Sequence, residues 1–104
     1  MDSVRIDLDQ CQWDYASPGM RVKCAARNGR QLRLVEIGPD FGEADWCEVG
    51  HAGYVLEGEL EIQFEGAMER LSAGDGLLIP QGKKARHKSR AVSGVVRLIL
   101  VEDT

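Results

Sequence analysis

The chain has 104 residues, a size that suits one domain with one core. It is 43% hydrophobic and 29% charged, with a net charge of −4, which fits a globular protein and gives no general pull toward nucleic acid or anionic membrane. No apolar run approaches the ~20 residues that a membrane helix needs.

The first residues, MDSVRIDLDQ, carry acids where a signal peptide needs bases, so the expected location is cytoplasmic. Residues 1–18 are expected to be an N-terminal extension, with Trp13 plugging one end of the fold. From Met20, alternation replaces helical periodicity. Met20, Val22, Cys24 and Ala26 share one face, which makes Cys24 a small core residue. Asn28-Gly29-Arg30 supplies a hairpin turn, and QLRLVEI returns as the next strand. The two strands are expected at residues 19–37, where they extend a sheet.

A loop follows over residues 40–50. A strand is then expected at Tyr54–Leu56, with Glu57-Gly58 as a turn. Leu60, Ile62 and Phe64 alternate with Glu59, Glu61, Gln63 and Glu65, the pattern of a strand with one buried face. The acids of this strand, with Glu57, read as a solvated row. Short strands are expected at Met68–Leu71 and Leu77–Ile79. A basic strand runs near Lys84–Arg90, VSG turns it, and Val95–Val101 closes the fold. Eight or nine short strands with close turn signals predict an all-β sandwich or barrel with essentially no helix.

Cys11, Cys24 and Cys47 make an odd count with no CxxC, so no disulfide framework is expected. Cys47 is the one cysteine near other ligand types, with Glu48 and His51 in WCEVGH. On Lys84–Arg90, alternation sets Lys84, Arg86, Lys88 and Arg90 on one side and Lys83, Ala85, His87 and Ser89 on the other. If the charged side faces water, His87 faces inward. The basic stripe has two readings: it keeps a strand soluble and blocks edge pairing, or it binds an anionic partner.

GYVLEGELEI followed by LSAGDGLLIPQGKKARH resembles the two motifs of the cupin family, over about residues 41–101. Its strongest part is Gly74-Asp75-x-x-x-Ile79-Pro80-x-Gly82, where glycine and proline allow abrupt turns. The resemblance implies a single cupin jelly-roll barrel and a homodimer. It does not fix a reaction, because the fold hosts many. The family's metal site takes four side chains. At strict spacing its positions fall on Ala44, Trp46, His51 and Ala85, so only His51 is a possible ligand. His87 lies two residues past Ala85, roughly 6.5 Å along a strand at ~3.3 Å per residue. A longer turn at Lys83-Lys84 would restore it.

The candidate metal ligands are therefore His51 and His87 with Cys47 or Glu48. Imidazole and thiolate suit zinc, iron or copper better than magnesium or calcium. Trp46, Tyr54, His51 and His87 are the candidate small-ligand contacts, Trp46 by stacking and Tyr54 by its hydroxyl. Two functions stay open: a metal-dependent small-molecule enzyme of isomerase or oxygenase type, and a metal-free module that binds a sugar or another small polar ligand.

Overall fold

The computed structural model describes residues 4–104. The chain forms β1 (Asp14–Ser17), β2 (Met20–Arg27), β3 (Arg30–Ile37), β4 (His51–Phe64), β5 (Ala67–Ser72), β6 (Gly76–Ile79) and β7 (His87–Asp103). Two short 3-10 turns, Leu8–Gln10 and Lys83–Ala85, are the helical elements among the described residues. None is long and apolar enough to cross a membrane.

All pairings are antiparallel, in the order β1-β2-β3-β7-β4-β5, with β6 on β4. The two long strands, β4 and β7, pair with each other from Ala52↔Val101 to Phe64↔His87. Their ends acquire different second neighbours. The first half of β4 holds β6 and its second half holds β5. The last half of β7 holds β3, from Ile37↔Val96 to Arg30↔Asp103. The two walls of the barrel are thus made by the same two strands.

A bulge lets those strands pass from wall to wall. Glu57 pairs with Arg97 and Glu59 with Ser93, so Gly58 alone faces the stretch Gly94–Val96. The bulge also rephases the alternation. On β4, His51 and Val55 face inward before it, and Leu60, Ile62 and Phe64 after it. On β7, His87, Ser89 and Ala91 face inward before it, and Val96, Leu98 and Leu100 after it. The inward faces join in one core around Val55, Leu60 and Val96, the most deeply buried large side chains.

The expected turns at Glu57-Gly58 and at VSG are therefore bulges inside continuous strands, and the strands number seven among the described residues. Glycine with positive φ serves both devices, here Gly58 at 84° and Gly94 at 62°, so the sequence signal is the same. Lys83–Ala85 is a 3-10 turn and not the start of the basic strand.

Cys24 is exposed, not a core residue. Cys24 lies opposite Arg33 and contacts Gln31 Oε1 at 3.4 Å, on the polar stretch of β2 and β3 beyond the core cluster that holds Val22. Trp13 does not plug the barrel. It packs on the outer side of β2, with the Arg21 guanidinium 3.9 Å and the Lys23 ammonium 4.9 Å from its ring centroid.

Glu61 departs from the solvated row. Its side chain is 8% exposed and holds Arg90 by a fork, Nε to Oε1 at 2.7 Å and Nη2 to Oε2 at 3.1 Å. Arg86 likewise pairs with Glu65. Acidic and basic side chains of the two segments thus pair with each other at Glu61–Arg90 and Glu65–Arg86.

An alanine at position 58 would put its Cβ 2.4 Å from the Val95 carbonyl oxygen at a φ that disfavours it. Gly58→Ala should cost ~1–3 kcal/mol from the backbone strain alone, read by denaturant unfolding. Arg90 holds the Glu61 carboxyl below its ordinary pKa, chiefly by the hydrogen bond. That stabilisation is present above the unfolded carboxyl pKa and is lost as pH falls through the folded one. Glu61→Gln should therefore lower Tm at neutral pH and leave it unchanged well below the carboxylate range.

Candidate metal centre

The loop before β4 and the start of β7 are tied together at Cys47 and His87. The Cys47 amide donates to the His87 carbonyl at 2.8 Å, and the His87 amide donates to the Cys47 carbonyl at 2.9 Å. This isolated bridge holds Cys47 beside the inward face of β7. His51 opens β4 on the other wall and points inward opposite His87. The two imidazoles meet edge to face, with ring centroids 5.1 Å apart. Cys47 Sγ lies 3.9 Å from His51 Nε2.

Cys47, His51 and His87 each present a ligand atom, and those atoms all lie within 4.8 Å of one another. One tetrahedral ion with bonds near 2.0–2.3 Å holds its ligand atoms roughly 3.3–3.8 Å apart. The side chains need draw in only slightly to share one ion.

The second nitrogen of each imidazole fixes which atom is offered. His87 Nδ1 lies 3.0 Å from the Ala85 carbonyl, which can only accept, so Nδ1 carries the proton. His51 Nδ1 lies 2.5 Å from Glu102 Oε2, in a close charge contact that is off the line of an aligned hydrogen bond. A carboxylate also accepts, so the same tautomer results. Both Nε2 lone pairs are left for a metal. Burial pushes the His51 pKa down, against the opposing pull of Glu102, and this favours the neutral ligating form. Burial pushes the Cys47 thiol up, so metal binding would release its proton.

Glu102 is 4% exposed, and three groups surround its carboxylate, of which Arg33 carries the compensating charge. Besides His51, Gln31 Nε2 donates to Oε1 at 2.8 Å, and Arg33 Nη1 reaches Oε1 and Oε2 at 3.2 Å each. Carboxylates behind a ligating histidine fix its ring and raise its basicity.

The triad faces a cavity of about 220 Å³. Its wall is mostly apolar, including Met20, Phe41, Leu60, Ile62 and Leu98. The polar lining besides the triad is Arg33, Glu43 and Ser89. The Ser89 amide donates to Glu43 Oε1 at 2.9 Å. Burial raises the Glu43 carboxyl pKa, with His87 and Lys88 pulling the other way.

His87 sits at the inward position that a longer turn would give it, and the 3-10 turn at Lys83–Ala85 is that turn. The strict motif spacing pointed to Trp46 and Ala85. The structure instead turns the next residue, Cys47, inward and displaces Ala85 by the 3-10 turn. Glu48 is exposed and outside the triad, and its carbonyl accepts from the Gly82 amide at 3.0 Å. Trp46 lies beneath Arg86 and Lys88, whose charged ends are 5.4 and 4.9 Å from its ring centroid, and is outside the cavity lining. Tyr54 is 48% exposed and also outside that lining, one residue out of phase with His51 and Val55.

Sequence reasoning missed Glu43, Glu102 and Arg33. A signal for two of them was present. Val96, Leu98, Leu100 and Glu102 continue one face of β7, and Ile37, Val35, Arg33 and Gln31 one face of β3. A charge that extends an apolar stripe marks a buried polar layer at the end of a barrel. Glu43 sits in a loop and carried no such signal.

The family model for the cupin domain matches residues 34–102. The chain belongs to the cupin family. No curated protein matches it. Among solved structures, a cupin-2 domain containing protein from Shewanella frigidimarina is 29% identical, with a TM-score of 0.66 over 80% of this chain and 79% of that one. KdgF from a Halomonas species is 26% identical, with a TM-score of 0.76 over 91% and 89%. The polyketide cyclase RemF from Streptomyces resistomycificus is 17% identical, with a TM-score of 0.81 over 98% and 80%, a likeness of fold alone. In this cupin, one thiol and two imidazoles form the potential metal site.

Glu102 is not one of the three candidate ligands, yet its carboxylate beside His51 Nδ1 favours the tautomer that offers Nε2. Glu102→Gln should weaken zinc affinity by ~10–100-fold while all three ligands remain, as measured by chelator competition.

Proposed function

We propose that this cupin holds one divalent transition metal on Cys47, His51 and His87 and binds a small molecule against it in the cavity. The observation that carries this reading is the convergence of three soft or borderline ligands, one from a loop and one from each wall. Both histidines are set in the tautomer that offers Nε2. Thiolate with imidazole favours zinc, iron(II) or copper over magnesium or calcium. Three protein ligands would leave coordination open for a substrate, as catalytic sites do.

When bound, such a metal would supply a Lewis acid or, in the case of iron or copper, a redox-active centre. The protein's own part is positional. Glu102 keeps the proton on His51 Nδ1, the Ala85 carbonyl keeps it on His87 Nδ1, and the apolar wall limits water near the ion. The reading is therefore of a metal-dependent enzyme acting on a small molecule. The class of reaction follows from the substrate and not from the fold.

Protein purified without a polyhistidine tag should contain close to one transition metal per chain by elemental analysis. The His51→Ala, His87→Ala double variant should contain none. Cobalt(II) loading should give a thiolate-to-metal charge-transfer band that Cys47→Ser removes. A metal-free protein whose melting does not respond to zinc or iron(II) would instead make this chain a metal-independent binding module.

A further inference from the structure

The cavity wall contains one permanently cationic side chain among the described residues, Arg33. Arg33 reaches Glu102 through Nη1 alone, at 3.2 Å to each oxygen. Its Nε and Nη2 have no protein partner among the described residues. Those two nitrogens form the edge that Arg90 uses to hold Glu61, with both bonds made. That edge is shaped for a carboxylate, which it binds by two parallel hydrogen bonds.

Besides the triad and Arg33, the polar groups on the wall are Glu43 and Ser89. Glu43 uses Oε1 on the Ser89 amide, which leaves its second oxygen and the Ser89 hydroxyl for another partner. Arg33, Glu43 and the triad line one cavity, so a ligand held between Arg33 and Glu43 lies in the same space as the triad. The remainder of the wall is apolar and offers few partners to a ring of hydroxyls. At about 220 Å³ the cavity is also below the ~300–1,000 Å³ of sites for drug-sized ligands.

From this we infer that the cavity selects a small monocarboxylic acid carrying a hydroxyl or carbonyl group, with its carboxylate on Arg33 and its second polar group toward Glu43 and Ser89. The inference rests on the cavity being the binding site proposed above, and it names the class of molecule bound there. A polyhydroxylated sugar or a dianion does not match one cation and an apolar wall.

The test is isothermal titration calorimetry with lactate and its neutral isostere lactamide. It uses the full chain loaded with zinc, and the zinc content is measured on each sample. Lactate should bind about tenfold or more tightly than lactamide, the worth of a charge-assisted pair. Arg33→Gln should remove most of that preference, and Arg33→Lys should keep part of it by charge without the fork. Each variant is also titrated without metal, because Arg33 touches Glu102 and its loss can lower zinc content. The difference between wild type and Arg33→Gln should persist there. Equal affinity for acid and amide, no binding of either, or a preference that survives Arg33→Gln would overturn the inference. A wild type that takes up no zinc but prefers lactate through Arg33 would overturn the metal reading alone.

Discussion

The pairing of β4 with β7 is the constraint on which the rest of this cupin depends. Both strands are too long for one flat wall, and they stay hydrogen-bonded to each other as they pass from one wall to the other. Twist alone does not accomplish this. The bulge opposite Gly58 bends the pair and moves each inward face by one residue. Without that shift, Leu60 and Leu98 would lie on the outer surface while Val55 and Ala91 lay inside. The single core exists because both strands change phase at the same place.

The same geometry builds the site. Because the strands are antiparallel, the start of β4 lies beside the end of β7, and the start of β7 beside the end of β4. His51 and Glu102 are therefore neighbours on one wall, while His87 begins the other wall and faces His51 across the barrel. Cys47 joins them through a two-bond bridge to His87 and not through a strand of its own. A short loop can thus supply a ligand with nearly the precision of a sheet. Behind this layer, Glu102 is buried only because His51, Arg33 and Gln31 surround it. Its removal would leave Arg33 without its one ion-pair partner among the described residues and His51 without its orienting contact, so the polar layer behaves as a unit.

Much of the fold was legible from alternation, glycine positions and the Gly74–Gly82 motif. The errors have one physical source. Gly58 and Gly94 mark a place where the backbone must take positive φ, and a bulge and a turn make the same local demand. Nothing local says whether the chain reverses or continues, because that depends on whether a partner strand is still paired on the far side. The misplacement of Cys24 has a similar cause. Its alternation is correct, but burial needs apolar packing over that face, and at Cys24 the face has passed from Val22 to the polar neighbours Arg33 and Gln31.

For the site, the sequence by itself determined the available chemistry. Two histidines were present, both on positions that could turn inward, and a cysteine lay four residues before the first. Three of the family's motif positions fall on Ala44, Trp46 and Ala85, whose side chains do not ligate metals, so the sequence also determined that any metal would be held by a different set. Which residues joined that set was decided by the tertiary structure. Cys47 rather than Glu48 turns inward because its backbone is hydrogen-bonded to His87. His87 replaces Ala85 because a 3-10 turn takes up the intervening residues. Glu102 and Arg33 join from strands far away in the chain because β3 and β7 pair in one register, and register is a property of two strands together that neither sequence carries alone.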